Sequence, residues 1–495
     1  MATLPAALPV PREALVTTYR VVVFCNADSG GGKARVLINN LPAEFGISVP
    51  ALGDLAVLVF NFKDPASRAK GLAAVASMRN AQGVRIIVAG GDGTVKWVIQ
   101  ELKLIDCLAF PLGVIPFGTG NDLSRVCGWG SGPPRDLSRD ALERLLAEYC
   151  LADAVDMDMW ESSVKVAEDG TFEVARSGIV ERVEGGKLEM TSTVLNYCSV
   201  GHDARAVFNF ETHRHSSQAA NTFQFAIEGG LLSLPFRGEY LRVKSMEIDG
   251  KKVALGAKQG LVFENIGSYA AGSDFWGKPL VSQPSHVPQH TGDGVLEILA
   301  VNKVLDIGIF KGSLGLVGGL QRFAQGSTVH IEFERSEQLL YFHFDGEPAR
   351  ALYPTSMSIS HAFMVSILQR NDAKLALFSS LSKNCILISG VLLKAGTGRA
   401  TDSYLPRFVA VVRRKDGALS LEWFRGALHR GSLMLDGSCT VELGSKGFVP
   451  RPNAVVVVHS ARREVRLCCK DVGEAQRWMA ALRSGVEVMQ QQARI

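Results

Sequence analysis

A short apolar run that ends in a glycine-rich loop and gives way to a helical stretch occurs three times in the first 125 residues. Residues 20–25 lead into Asn26-Ala27-Asp28-Ser29-Gly30-Gly31-Gly32-Lys33. Residues 84–89 lead into Gly90-Gly91-Asp92-Gly93-Thr94, and residues 112–116 into Phe117-Gly118-Thr119-Gly120-Asn121-Asp122. Residues 55–60 add a further strand, and residues 33–40 and 66–80 read as helices. Val95, Val98, Ile99 and Leu102 recur at helical spacing behind the second loop. Strands alternating with helices predict a parallel sheet covered on both faces, with ligands held beyond the strand C-termini, where these loops lie.

Such loops suit phosphate. Glycines let backbone N–H groups approach phosphate oxygens, and a following helix N-terminus adds partial positive charge. The first loop fails the GxxxxGK[ST] spacing and is not a P-loop. Asp92 would repel phosphate unless a cation lay between them, which predicts Mg²⁺. Three such loops at one sheet edge predict a nucleotide site.

The pattern then changes. After a boundary near Ser131-Gly132-Pro133-Pro134 and a helix over 138–149, strand-like runs occupy 154–160, 187–200, 240–248, 257–265, 295–301, 328–333 and 339–345. A last unit offers seven short strands and an amphipathic helix over 472–483. The expected organisation is a tail (1–18), an α/β nucleotide-binding domain (19–133), a mostly antiparallel β domain (134–380) and a small β-barrel with a C-terminal helix (384–488).

Net charge is only +4, but residues 381–495 carry about 18 Lys and Arg against about 9 Asp and Glu, leaving the remainder near −5. A basic tail on a mildly acidic body predicts an anionic surface as partner. Nucleic acid is not expected, because the basic excess lacks interleaved aromatics at stacking spacing. The nine scattered cysteines, with no CxxC pair, predict reduced thiols and no zinc module. No signal-peptide core is read at the N-terminus, and no apolar run approaches the roughly 18 residues that span a bilayer. A cytoplasmic protein meeting membranes peripherally is expected. His213-Arg214-His215 reads as a polar surface loop.

These motifs resemble the diacylglycerol kinase family of lipid kinases over residues 19–370. NPxSGG is matched by Asn26–Gly31 with Ala27 for Pro, GGDGT is intact at 90–94, and PxGTGNDLAR is matched at 116–125 with Ser124 for Ala. NYFSIGxDA is matched at 196–204 with Cys198 for Phe, DGxLE at 293–297 and DGEP at 345–348, where Ala349 follows instead of Trp. The resemblance implies ATP held by Asn26, Ser29, Gly30, Gly31, Gly90, Gly91, Gly93, Thr94, Gly118, Thr119, Asn121 and Glu347. It implies Mg²⁺ near Asp92 and Asp122, catalytic roles for Asp92 and Asp293, with Asp293 accepting the proton of the lipid hydroxyl, and diacylglycerol as substrate. A ceramide or sphingoid-base kinase is the nearest alternative, and a catalytically silent membrane adaptor the alternative of another class. The tail resembles a pleckstrin homology domain, with Trp478, Met479 and Leu482 closing its barrel and Lys394 and Arg407 as phosphoinositide-binding candidates. Oligomeric state is left open.

Overall fold

The computed structural model describes residues 18–49, 53–176, 178–213, 239–277, 287–303, 307, 320–372, 374–375, 385–395, 404–413, 419–425, 428–436, 438–444, 454–460, 464–469 and 472–492. The first part runs β1 (Thr18–Cys25), α1 (Arg35–Asn40), β2 (Glu44–Val49), β3 (Gly53–Asn61), α2 (Pro65–Ser77), β4 (Val84–Gly90), α3 (Asp92–Leu104), β5 (Leu112–Pro116), α4 (Asp122–Val126) and α5 (Arg139–Leu151). β1 lies between β3 and β4, parallel to both, and β4 pairs in parallel with β5.

Strand side chains alternate between faces, so one β-branched run can feed two cores. Val22 and Phe24 of β1 pack with Val75 of α2 and with Val95, Val98, Ile99 and Leu102 of α3. Val21, Val23 and Cys25 pack on the other face with Leu37 of α1 and with Leu142, Leu146 and Tyr149 of α5. A division at residue 133 would give α5 to the second unit, but its buried face belongs to the first sheet. α2 starts where Asp64 accepts the Ser67 N–H at 2.7 Å, with Pro65 at the first helical position. The antiparallel edge strand β2 was not expected: Pro42, Gly46 and Pro50 mask it as a loop, and its residues are at most half-buried.

Two long strands link this layer to an antiparallel region. β6 (Asp153–Arg176) is followed by β7 (Ile179–Arg182), β8 (Glu189–Val194), β9 (Tyr197–Gly201), α6 (His202–Thr212), β10 (Val243–Ile248), β11 (Lys251–Lys252), β12 (Gly260–Glu264), β13 (Leu296–Val301), β14 (Gln321–Gly326), β15 (Thr328–Phe333), β16 (Leu340–Phe344) and β17 (Glu347–Gln369). β17 pairs antiparallel with β6 along nearly its whole length, and its end meets β5 in parallel at Ile367 and Leu112. β9 sits between β12 and β16, and β13 joins β12 to β14. The expected run over 187–200 is broken at Leu195-Asn196 into two strands. Helix α6 was not anticipated. His213 is its C-terminal cap residue, while Arg214 and His215 lie outside the described residues.

The last part contains β18 (Cys385–Ala395), β19 (Tyr404–Arg413), β20 (Leu419–Arg425), β21 (Leu428–Leu435), β22 (Thr440–Gly444), β23 (Ala454–His459), β24 (Glu464–Cys469) and α7 (Val472–Gln492). They form an antiparallel sheet ordered β21-β20-β19-β18-β24-β23-β22. α7 buries Ala475, Trp478, Leu482 and Val486, at helical spacing, against Val409, Val411, Leu421, Val456 and Val458; Met479 is half-buried. Each fully buried apolar side chain there contributes about 1.5–3 kcal/mol. Among the described residues, no helix is long and apolar enough to cross a membrane.

Candidate active site

The three glycine-rich loops meet at the C-terminal edge of the parallel strands. Asn26 Nδ2 donates to Thr94 Oγ1 at 3.0 Å, tying the first loop to the second. A Cβ on Gly30 would stand 2.7 Å from the Phe117 carbonyl oxygen, so the first loop touches the third. Gly91 and Gly118 approach so closely that a Cβ on either would lie within 2.8 Å of the other's Cα. Glycine is required at these points because backbone meets backbone. Ser29, Gly30, Gly31, Gly93 and Thr119 are exposed or half-buried around the junction, whereas Gly90 and Thr94 are buried.

Asn121 has a different task from the one its motif suggested. It is buried, in a left-handed conformation (φ 51°), and its amide closes the loop by accepting from Gly118 N–H and donating to the Gly118 and Ser131 carbonyls. Both ends of its side chain are bonded to the protein, so that it braces the loop. Ser124, which replaces the family's Ala, gives its hydroxyl to the Gly130 carbonyl at 2.7 Å.

Asp92 and Asp122 diverge in the same way. Asp92 starts α3 and accepts the backbone N–H groups of Asp122 and Leu123 at 3.1 and 3.2 Å, capping α4. It remains partly exposed. Burial and the neighbouring Asp122 carboxylate push its pKa up to about 6, against those N–H groups and the Asn196 amide, which hold it down. The side-chain amide oxygen of Asn196, Oδ1, is buried without a partner. Asp122 is fully buried and takes four donors: the hydroxyls of Tyr197 (2.9 Å) and Ser268 (2.5 Å), and the N–H groups of Ala271 and Gly272. All four come from the antiparallel region, so Asp122 clamps the two layers together. These four donors match the roughly four lone-pair sites of a carboxylate, which sets Asp122 apart from Asp92. Among the described residues no group of three or more His, Cys, Asp or Glu could hold a metal.

Beside this junction opens a cleft of about 540 Å³. Its lining has apolar side chains, Leu123 and Val126 from α4, Val155 and Met157 from β6 and Ile367 from β17, beside Asp156 and Gln369 of the same strands. His290, Thr291 and Asp293 also line it. Asp293 is exposed, and its carboxylate accepts the Val295 N–H at 3.0 Å in a tight turn. Burial, followed by the Asp158 carboxylate, raises its pKa above the usual aspartate range. Asp158, fully buried, holds the turn: one oxygen accepts the Gly294 N–H at 2.7 Å and the other lies 2.8 Å from His361 Nε2. Sequence reasoning missed Asp158 and His361, which are separated from Asp293 along the chain and carry no motif. Glu347 is exposed at the start of β17, two residues beyond the buried Asp345 side chain.

Lys394 and Arg407 fall on the paired strands β18 and β19, opposite Leu405 and Leu392. Their side chains lie outside the described residues. Cys25, Cys107, Cys127, Cys150, Cys198, Cys439 and Cys469 are buried free thiols.

The diacylglycerol kinase catalytic domain matches residues 20–152, and the diacylglycerol kinase accessory domain matches residues 193–348. Diacylglycerol kinase theta of Rattus norvegicus is 31% identical over 273 residues, covering 53% of this chain and 27% of its own length. Diacylglycerol kinase 2 of Arabidopsis thaliana is 30% identical over 301 residues, covering 58% of this chain and 39% of its own. The chain thus spans roughly a quarter to two-fifths of the length of these relatives. A diacylglycerol kinase of known structure from Bacillus anthracis str. Sterne aligns over 71% of this chain and 96% of its own, at 18% identity and a TM-score of 0.41. The catalytic match carries the glycine loops with Asp92 and Asp122, the accessory match carries Tyr197, Asp293 and Asp345, and together they place this chain in the diacylglycerol kinase family.

Proposed function

We propose that this chain is an ATP-dependent diacylglycerol kinase that yields phosphatidic acid. The observation that carries the reading is the convergence of three glycine loops on Asp92, beside a cleft lined by apolar side chains and by the Asp293 turn. Phosphoryl transfer asks mainly for positioning and charge neutralisation. Backbone groups of Ser29–Gly31, Gly90–Thr94 and Gly118–Thr119 cradle the ATP phosphates, and Glu347 faces the nucleotide. The apolar side chains of that lining take the glyceride backbone and the start of its acyl chains. Asp293 then accepts the proton as the lipid oxygen bonds to the γ-phosphorus and the bond to the β-phosphate oxygen breaks, releasing ADP. Its raised pKa makes it a stronger base than an ordinary aspartate.

The donor set fits Mg²⁺. Asp92 keeps some exposure, and the unpartnered Asn196 Oδ1 beside it is suited to a coordinated water. Mg²⁺ binds through one or two carboxylates with phosphate oxygens and water, so a single Asp suffices on the protein side. When bound, the ion neutralises the charge of the phosphates in transfer.

The basic tail, with its seven strands and capping helix, supports a pleckstrin homology-like module. Peripheral attachment to anionic membranes at the cytosolic face follows from its charge, near +9. Truncation after Ser380 is expected to weaken liposome binding, most on anionic lipid at low salt, while activity on short-chain diacylglycerol persists. Loss of that activity as well would make the tail part of the catalytic fold.

The deciding experiment is a mixed-micelle assay with labelled ATP and diacylglycerol, ceramide and sphingosine in parallel. Phosphatidic acid as the main product is expected. Preferential labelling of ceramide or sphingosine would reassign the substrate, and no transfer to any of the three would overturn the kinase reading.

A further inference from the structure

Lys96 is a cation in the interior. It sits one turn into α3, the helix that begins at Asp92, and is only 6% exposed. Its ammonium lies 3.2 Å from Asp345 Oδ2 and donates to Ser192 Oγ at 3.0 Å. Asp345 comes from the turn between β16 and β17, in a left-handed conformation (φ 52°). Its carboxylate also accepts the backbone N–H groups of Leu195, Asn196 and Tyr197, at 2.7–3.2 Å. An ion pair taken out of water persists only when further hydrogen bonds satisfy it, and this one has them.

The partners of Asp345 lead into the active site. Asn196 approaches Asp92 through its side-chain amide, and the Tyr197 hydroxyl donates to Asp122. Two residues beyond Asp345 stands Glu347. One buried contact therefore ties the helix of the second glycine loop to the segment bracing Asp92 and Asp122, and to the turn carrying Glu347. The pair crosses from the α/β layer to the antiparallel region, where a change in spacing would separate the nucleotide loops from the Asp293 side.

We propose that Lys96 is a positioning residue for phosphoryl transfer. Paired with Asp345, it fixes the spacing between the Gly90–Thr94 loop and the turn bearing Glu347, so that nucleotide and acceptor hydroxyl are held in line. The proposal rests on the kinase reading. The wild-type chain is therefore assayed first: absence of lipid phosphorylation there would count against that reading, and only variants of an active enzyme bear on Lys96.

Lys96→Met keeps the side-chain stem and removes the charge. Misplacement of reacting groups by about 1 Å can cost about 10²-fold. The expected result is a fall in kcat of roughly 10–10²-fold, with the ATP Kd, read by a fluorescent nucleotide, within about threefold of wild type. Measurements are made well below the variant's Tm, so that unfolding cannot mimic the loss. Lys96→Met combined with Asp345→Asn is expected to cost much less than the product of the single losses, because the two residues act as one unit. Ser192→Ala and Lys96→Arg are made alongside: loss of the hydroxyl that accepts from Lys96 should lower kcat several-fold, and restored charge should recover part of it, again at constant ATP affinity. Wild-type kcat in folded Lys96→Met overturns the proposal, as does a loss that appears wholly in ATP Kd. If Lys96→Met does not fold, unchanged kcat in Ser192→Ala overturns it instead.

Discussion

The two sides of the candidate site are built by opposite means. On the nucleotide side the loops touch backbone to backbone, Gly30 on Phe117 and Gly91 on Gly118, and each loop is one contiguous motif. On the acceptor side Asp293 is held by Asp158, Asp158 is met by His361, and these residues come from three separate strands or loops. A phosphate needs many N–H donors within a small space, which adjacent residues of one loop provide. A base needs one carboxylate at one point, which strands distant in sequence can aim as well as neighbours can. The same contrast separates Asp92 from Asp122. Both start a helix after a glycine loop, yet one stays partly exposed and the other is fully buried among donors from the opposite layer.

The sharpest way to break this comparison is Asp293→Asn, which preserves the turn and removes the base. Transfer to diacylglycerol should fall by roughly 10²–10⁴-fold with ATP affinity near normal. Wild-type turnover would move the base elsewhere, to Asp92 or to Asp156, the other carboxylate in the cleft lining. Asp92→Asn should cost at least about 10²-fold in kcat and shift the Mg²⁺ concentration needed for half-maximal rate. An unchanged Mg²⁺ titration would reduce Asp92 to a cap for α4.

Asp122→Asn tests the division between the two acids. Its amide would face donors that need an acceptor, so about 3 kcal/mol of stability should be lost while Mg²⁺ dependence stays as in wild type. Thermal melts read the first and a metal titration the second, and a shifted titration would restore Asp122 to the metal site.

The smallest expected effect lies behind the acceptor wall. Glu264 and Glu297 face each other across β12 and β13, both fully buried, and both Glu264 oxygens lack a partner. Burial first, then Glu297, raises the Glu264 pKa well above the usual range, and burial pushes Glu297 up to about 8. A carboxyl with a raised folded pKa binds its proton more tightly when folded. The stability it contributes is present below about pH 4.5 and is lost as pH rises toward about 8. Tm should therefore drop between pH 5.5 and 8.5, and Glu264→Gln should raise Tm at pH 8 and flatten the slope. A steeper slope in that variant would mean that Glu264 is ionised and paired in the folded protein.

The alternation of strand and helix, the β1, β4 and β5 runs, the glycine loops and the Asp293 turn are local, and the chain alone determined them. Each follows from backbone geometry or periodicity within a few residues. The edge strand β2 and helix α6 were hidden, the first by its proline and glycine punctuation, the second because His202 and Asp203 are polar residues that only a neighbouring sheet can bury. Tertiary structure decided which acid is spent and which is free, and it brought Lys96 to Asp345 and Asp158 to Gly294. A carboxylate's role depends on how many donors surround it, and those of Asp122 arrive from a strand 75 residues away and a loop 146–150 residues away. No motif within reach of Asp122 records that Tyr197, Ser268 and the Ala271-Gly272 backbone will fill it.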